Sequence, residues 1–155
     1  MRIEEKLRYK KELHQFCIEI IQQRINASLQ AMQNAQDAAN SEEKSSAGDK
    51  YETGRAMSHL EKDMHGRQLA ANKNELAALL SVDSTTLHAS VTTGSIVCCD
   101  GFIFFIAAGL GKIAFKNETV YLLSPNAPVA KSLLNKVAGN AFNFNNNAVI
   151  INEVF

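Results

Sequence analysis

The 155-residue sequence has no tryptophan, and its two prolines, Pro125 and Pro128, stand in one short stretch. Between Glu4 and Asn40 there is neither proline nor glycine, so nothing there interrupts a helix. No run of about 18 apolar residues occurs, so no membrane-spanning helix is expected. Cys17, Cys98 and Cys99 make an odd count with two adjacent; they suit neither a disulfide framework nor a CxxC zinc site, and a reducing cytoplasm is the simplest compartment. The opening MRIEEKLRYKKELHQF is charged throughout and lacks the apolar core of a secretory signal. With a formal net charge of zero there is no surplus of either sign, and a general electrostatic argument for nucleic acid or membrane is removed.

What is present is a globular composition, 46% hydrophobic and 21% charged, in a length that suits one ordinary domain or two small ones. The charge is unevenly spread. Residues 1–83 hold 12 of the 16 Lys and Arg and 13 of the 16 Asp and Glu, which leaves 7 charges for 84–155. A charged half followed by an apolar, Asn-rich half predicts two architectures, divided as 1–82 and 83–155.

In the first half Glu, Lys, Gln, Leu and Ala dominate, all strong helix formers. Ile18, Ile21, Ile25, Leu29, Met32, Ala35 and Ala39 step by three or four, the spacing of a coiled-coil seam. After a break at 41–49 the seam restarts at Met57, Leu60 and Met64, and Ala71, Leu76 and Leu79 extend it. Glu61, Lys62, Asp63, Arg67 and Lys73 fall elsewhere and read as solvated charge. Two long helices joined by a short break most simply fold back as an antiparallel hairpin. Such a hairpin exposes more than it buries, so part of it leans on the second domain, another subunit or a partner; a dimeric helical bundle is the alternative.

In the second half, 82–90 reads as a linker. GSIVCC and GFIFFIAA are strand-like runs separated by Asp100-Gly101, a hairpin signal. ETVYLL (118–123) is a further strand, residues 127–134 a short helix after Ser124, Pro125 and Asn126, and NAFNF and AVIINEVF two last strands around Asn145-Asn146-Asn147. GLGKIAF (109–115) has neither P-loop nor GxGxxG spacing and reads as a loop. The expected class is α+β: a helical hairpin, then an antiparallel sheet with one short helix.

Few residues offer chemistry. Cys98 and Cys99 sit next to each other in a strand, so their side chains diverge. His59 and His65 are six apart on a helix, and His59 with Asp63 gives two ligands, which do not make a zinc site. No Ser or Cys occupies a nucleophile elbow with a downstream His. Asp49 and Glu52 remain, within Gly48-Asp49-Lys50-Tyr51-Glu52. As plain structure, Asp49 at a helix start satisfies free N–H groups and Glu52 approximates the far end of a capping box. As chemistry, two carboxylates on an exposed tip suit Mg²⁺, a hard cation that takes one or two protein carboxylates and fills its shell from elsewhere. A partner's site would have to complete that shell.

The layout resembles the bacterial Gre transcript-cleavage factors. Gly48-Asp49-Lys50-Tyr51-Glu52 is similar to that family's GDLxEN tip loop. SPNAPVAKSLLNKVAGN (124–140) is similar to its S-P-x-S-P-L-G-x-A-L-L-G-K-K-V-G-D segment, with Ser124, Pro125, Pro128, Leu133, Leu134, Lys136 and Gly139 in register and Val129 and Ala130 as mild replacements. The resemblance implies a coiled coil with an acidic tip near 45–53 and a C-terminal domain of FKBP-like fold. It implies docking at the secondary channel of RNA polymerase through residues around Ser124, Pro125, Pro128, Val129, Leu133 and Leu134. It further implies that Asp49 and Glu52 help hold a second Mg²⁺ at the polymerase active site, where backtracked RNA is hydrolysed by two-metal chemistry.

On this reading the chain is no enzyme itself but an accessory factor, touching nascent RNA only indirectly. Thr53 and Gly54 depart from the family, which has Asn after the tip Glu, and NSEEKSS is longer and more acidic than its counterpart. Relatives that occupy the same channel inhibit transcription instead, so a Gre-like regulator without cleavage activity is an alternative. Self-association through the hairpin is another. Glu42 and Glu43 are secondary candidates at the tip.

Overall fold

The computed structural model describes residues 1–42 and 48–155; the side chains of Glu42 and of residues 48–51 lie outside the description. Residues 43–47, Glu43 included, which fall within the break expected at 41–49 and the tip expected near 45–53, therefore lie outside the described residues. The chain divides into two compact units. Unit 1 comprises Met1–Ile18 and Glu75–Phe155, and unit 2 comprises Glu19–Asn74. Two long helices, α1 (Ile3–Glu42) and α2 (Gly48–Leu80), contribute to both.

Unit 2 is an antiparallel helix pair. Lys62 Nζ donates to Gln36 Oε1 at 2.7 Å, Gly66 lies opposite Met32, and Ala27 and Ser28 share a cleft with Ala71 and Asn72. The expected hairpin forms; its α1 seam is the expected row except at Leu29, whereas the α2 seam differs from the expected one. On α1 the inward row is Ile21, Ile25, Ser28, Met32, Ala35 and Ala39; on α2 it is Ser58, Lys62, His65, Leu69 and Asn72. Four residues assigned to the seam by their spacing, Leu29, Met57, Leu60 and Met64, are 47%, 58%, 67% and 43% exposed. Ala71 is exposed as well, while Lys62, expected in solvent, is half-buried. Steps of three and four describe more than one row along a helix. The row of small side chains is the one that lets two backbones approach, and Ser28, Ala35, Ala39 and Ser58 are all buried.

In unit 1 the strands are β1 (Ile96–Cys99), β2 (Phe102–Ile106), β3 (Gly111–Phe115), β4 (Glu118–Leu123), β5 (Ala141–Phe144), β6 (Asn147–Ile150) and β7 (Glu153–Val154), with α3 (Pro128–Leu133) after β4. Five form a sheet in the order β3-β4-β2-β1-β7, and β5-β6 is a separate two-stranded ribbon. The class is α+β, as the sequence predicts. The sheet is not wholly antiparallel: β2 and β4 run parallel, Phe104 opposite Tyr121. The stretch 109–115, expected as a loop, contains edge strand β3. Its pairing with β4 is closed by Lys116 and Asn117, both at positive φ (48° and 63°), the backbone of a two-residue hairpin turn. Asn145 and Asn146 repeat the device between β5 and β6 at 51° and 65°. AVIINEVF is not one strand; it supplies β6 and then β7, in different sheets.

Side chains alternate across β1 and β2. Val97, Cys99, Phe104 and Ile106 pack with Ala130 and Leu133 of α3, Phe142, Ile151 and Val154. The other face carries Ile96, Ile103 and Phe105, all buried, and α1 up to Ile18 covers that side of unit 1. Tyr9 meets Phe115 and Phe155 edge-on at 5.5 and 6.2 Å, and His14 meets Phe105 at 6.5 Å. Leu13 and Cys17 are fully buried. Ion pairs flank this packing, Lys6 with Glu153 at 2.7 Å and Lys116 with Glu12. The 82–90 connection has turns but no strand, and it ends sewn to the chain after α3, where Val91 donates to Lys136 O and accepts from Asn135 N–H.

Candidate functional site

Two loci carry the expected site residues. The first is the start of α2. The helix begins at Gly48, so Asp49 and Glu52 lie in its opening turns, where carboxylates complement the macrodipole. Positions three apart are neighbours on a helix surface. Glu52 and Thr53 are exposed. Further along, Arg55 Nε lies 3.4 Å from His59 Nε2, so His59 has a local partner. Among the described residues no three His, Cys, Asp or Glu side chains gather as a cation site. Two carboxylates, Asp49 and Glu52, would supply Mg²⁺ with only part of its shell.

The second locus is Ser124–Leu134. Ser124 O accepts from Ala127 N–H at 3.0 Å, and Ser124 Oγ accepts from Asn126 N–H at 3.3 Å. This turn delivers Pro128 to the first turn of α3, where its missing N–H costs nothing. The helix closes at Leu134, whose N–H donates to Ala130 O, and Asn135 leaves at φ 66°, the left-handed exit common after helices. Ala130 and Leu133 turn into the core against the sheet.

The six residues assigned to partner contact therefore divide. Leu133 is completely buried; its apolar side chain anchors α3 and is not available to a partner. Leu134 is 53% exposed, Pro128 is exposed, and Ser124, Pro125 and Val129 are half-buried. The sequence pattern did not single out Val137 and Ile150, two further exposed apolar residues in unit 1. Val137 follows the helix on a tight turn, its N–H donating to Asn140 Oδ1, and Ile150 pairs with Ala141 in the ribbon. Alternation along β5 and β6, which sets Ile150 opposite Ala141, is the signal that could have found Ile150.

The thiols play no part. Burial pushes Cys17 and Cys98 up to about 12 and Cys99 up to about 11, which leaves them protonated and poor nucleophiles at neutral pH. Cys99 belongs to the α3-side core and Cys98 does not, the divergence that adjacent strand positions require.

No family model matches the sequence, and no curated protein does. Among solved structures the chain is similar to the transcription factor Gfh1 at 14% identity, over 88% of this chain and 92% of that one, with a TM-score of 0.37.

Proposed function

We propose that the chain is a Gre-type accessory factor of RNA polymerase, not an enzyme in its own right. In this reading Pro128, Val129 and Leu134, with the Ser124-Pro125 turn, dock at the polymerase, and the start of α2 enters its secondary channel. Asp49 and Glu52 then add carboxylate oxygens to a Mg²⁺ whose other ligands come from the polymerase and the RNA. The ion would activate water or stabilise the leaving oxygen in hydrolysis of the backtracked 3′ end. The observation that carries the reading is the position of Gly48-Asp49-Lys50-Tyr51-Glu52. It opens α2 itself, the second helix of an antiparallel pair. The turn and short helix formed by SPNAPVAKSLL, with Ala130 and Leu133 inward and Leu134 outward, supports the docking half.

Stalled, backtracked elongation complexes should release short 3′ RNA fragments when the protein and Mg²⁺ are supplied together. Asp49→Ala with Glu52→Ala should reduce release to the rate of the polymerase alone while binding persists; release that survives the double variant sinks the tip assignment. A second reading is favoured by Thr53-Gly54, which replaces the family's Asn after the tip Glu. In it the protein occupies the channel and blocks transcription. Binding with inhibition and no cleavage in the same assay selects that reading.

A further inference from the structure

Lys10 is the largest of the completely buried side chains, at 0% exposure. Lysine is almost never found so deep without a counter-charge in contact. Among the described residues its Nζ makes one hydrogen bond, donating to Thr86 O at 2.6 Å, in the connection from α2 to β1. An ammonium carries three donors and an amine fewer, so the pocket matches the neutral amine better than the cation. One turn further along α1, on the same face, His14 Nε2 lies 2.6 Å from Leu79 O. A carbonyl only accepts, so His14 holds its proton on Nε2 and donates. Two titratable side chains of α1 thus tie down the end of α2 and the connection, all within unit 1.

The charged and titratable groups around Lys10 are Asp83 and His88 from the connection and His14 from its own helix. Asp83 does not close on Lys10 as an ion pair. Its carboxylate accepts from Thr85 N–H at 2.9 Å, from the Thr85 hydroxyl at 2.5 Å and from the Thr86 hydroxyl at 2.8 Å. Those bonds hold it down to about 2, so it is a fixed anion across the range that matters. Burial, with Lys10 as a secondary cause, lowers His88 as well, which leaves it neutral above pH 7.

We infer that Lys10 is a proton-operated latch between α1 and the α2–β1 connection, closed when the side chain is a neutral amine and loosened when it is an ammonium. Burial brings Lys10 down to about 8 against an ordinary 10.5, with Asp83 opposing. The folded value lies below the unfolded one, so between pH 8 and 10.5 the unfolded chain binds the extra proton. The contribution to stability is therefore least below pH 8 and grows as pH rises. Nothing in this depends on polymerase binding.

The test has two readouts. In the intact protein, the Lys10 Cε resonance, assigned by its loss in Lys10→Met, should titrate with a midpoint near 8; a midpoint at 10 or above overturns the inference. Chymotryptic cleavage after Leu87 reports opening of the connection, normalised to a peptide of residues 80–92 at the same pH. From pH 7 to 9 cleavage of the wild type should fall by about tenfold relative to Lys10→Met, the change expected for one proton released near pH 8. Both proteins carry the same three thiols, which cancel in the ratio. Lys10→Arg, permanently charged, should be cleaved fast and without that pH dependence. A ratio that stays flat from pH 7 to 9 overturns the latch. If Lys10→Met does not fold, Lys10→Arg serves as the reference for the resonance assignment and the pH profile.

Discussion

Leu133 and Leu134 are adjacent and chemically identical, yet they serve opposite ends. The first fills the core beneath α3 and the second faces solvent. Leu133→Ala should cost about 2–5 kcal/mol in urea unfolding, the range for deleting a buried leucine. Leu134→Ala should change stability by less than about 0.5 kcal/mol, and under the proposed function it should weaken polymerase binding. Equal losses of stability for the two variants would contradict the placement of α3. The same scale shows where reading residues from a sequence stops. The SPNAPVAKSLL pattern selects the right turn and helix but does not reveal which leucine is the anchor, because that depends on the rotation of α3 against the sheet. Lys10 gave no signal at all. It lies between Tyr9 and Lys11 in a charged stretch, and only the connection after α2, which Lys10 meets at Thr86 O, makes it interior.

At the scale of the element, the helices were legible because thirty-odd residues without proline or glycine leave few alternatives. The seam was legible on α1, where Ile18, Ile21, Ile25, Met32, Ala35 and Ala39 lie inward as their spacing predicts. On α2 two rows at three-and-four spacing compete, and the inward one, Ser58, Lys62, His65, Leu69 and Asn72, is the less apolar. Met57, Leu60 and Met64 consequently face solvent. Replacing all three by Lys or Gln should leave helical circular dichroism and the unfolding midpoint nearly unchanged, since surface changes stay within about 0.5 kcal/mol each. Ile21→Ala, which empties a fully buried seam position, should cost about 2–5 kcal/mol. A large loss from the triple variant would mean that the outer row is the seam after all. In the sheet, strands with an apolar run or a strong turn signal were found from the residues, whereas β3 was missed. Ile113 and Phe115 turn inward and alternate with exposed Lys112 and Ala114, but two apolar positions beside Gly109 and Gly111 are a short signal, and pairing with β4 defines the strand.

At the scale of the whole molecule, a boundary between 82 and 83 follows the change in composition but not the division of contacts. Unit 1 takes in α1 up to Ile18 and the chain from Glu75. A fragment beginning at residue 83 would keep every strand and lose Tyr9, Leu13 and Cys17 from above the sheet. It should aggregate or bind a hydrophobic dye, where the intact protein does not, because Ile96, Ile103 and Phe105 would face water. Adding α1 up to Ile18 as a separate peptide should reduce dye binding. A soluble, cooperatively unfolding 83–155 fragment would show that the α1 face contributes little.

The reach of unit 1 from Met1 to Phe155 also sets an order of events as the chain is synthesised. The contacts of unit 2 are all available once Asn74 has left the ribosome. The opening turns of α1 are made before unit 2, yet they have no sheet to cover until β1, β2 and β4 are made. The packing of Tyr9 on Phe155 and of Lys6 on Glu153 waits for β7 and the residue after it. Contacts this distant in sequence close slowly, so the apolar face of α1 stands uncovered until those residues are made.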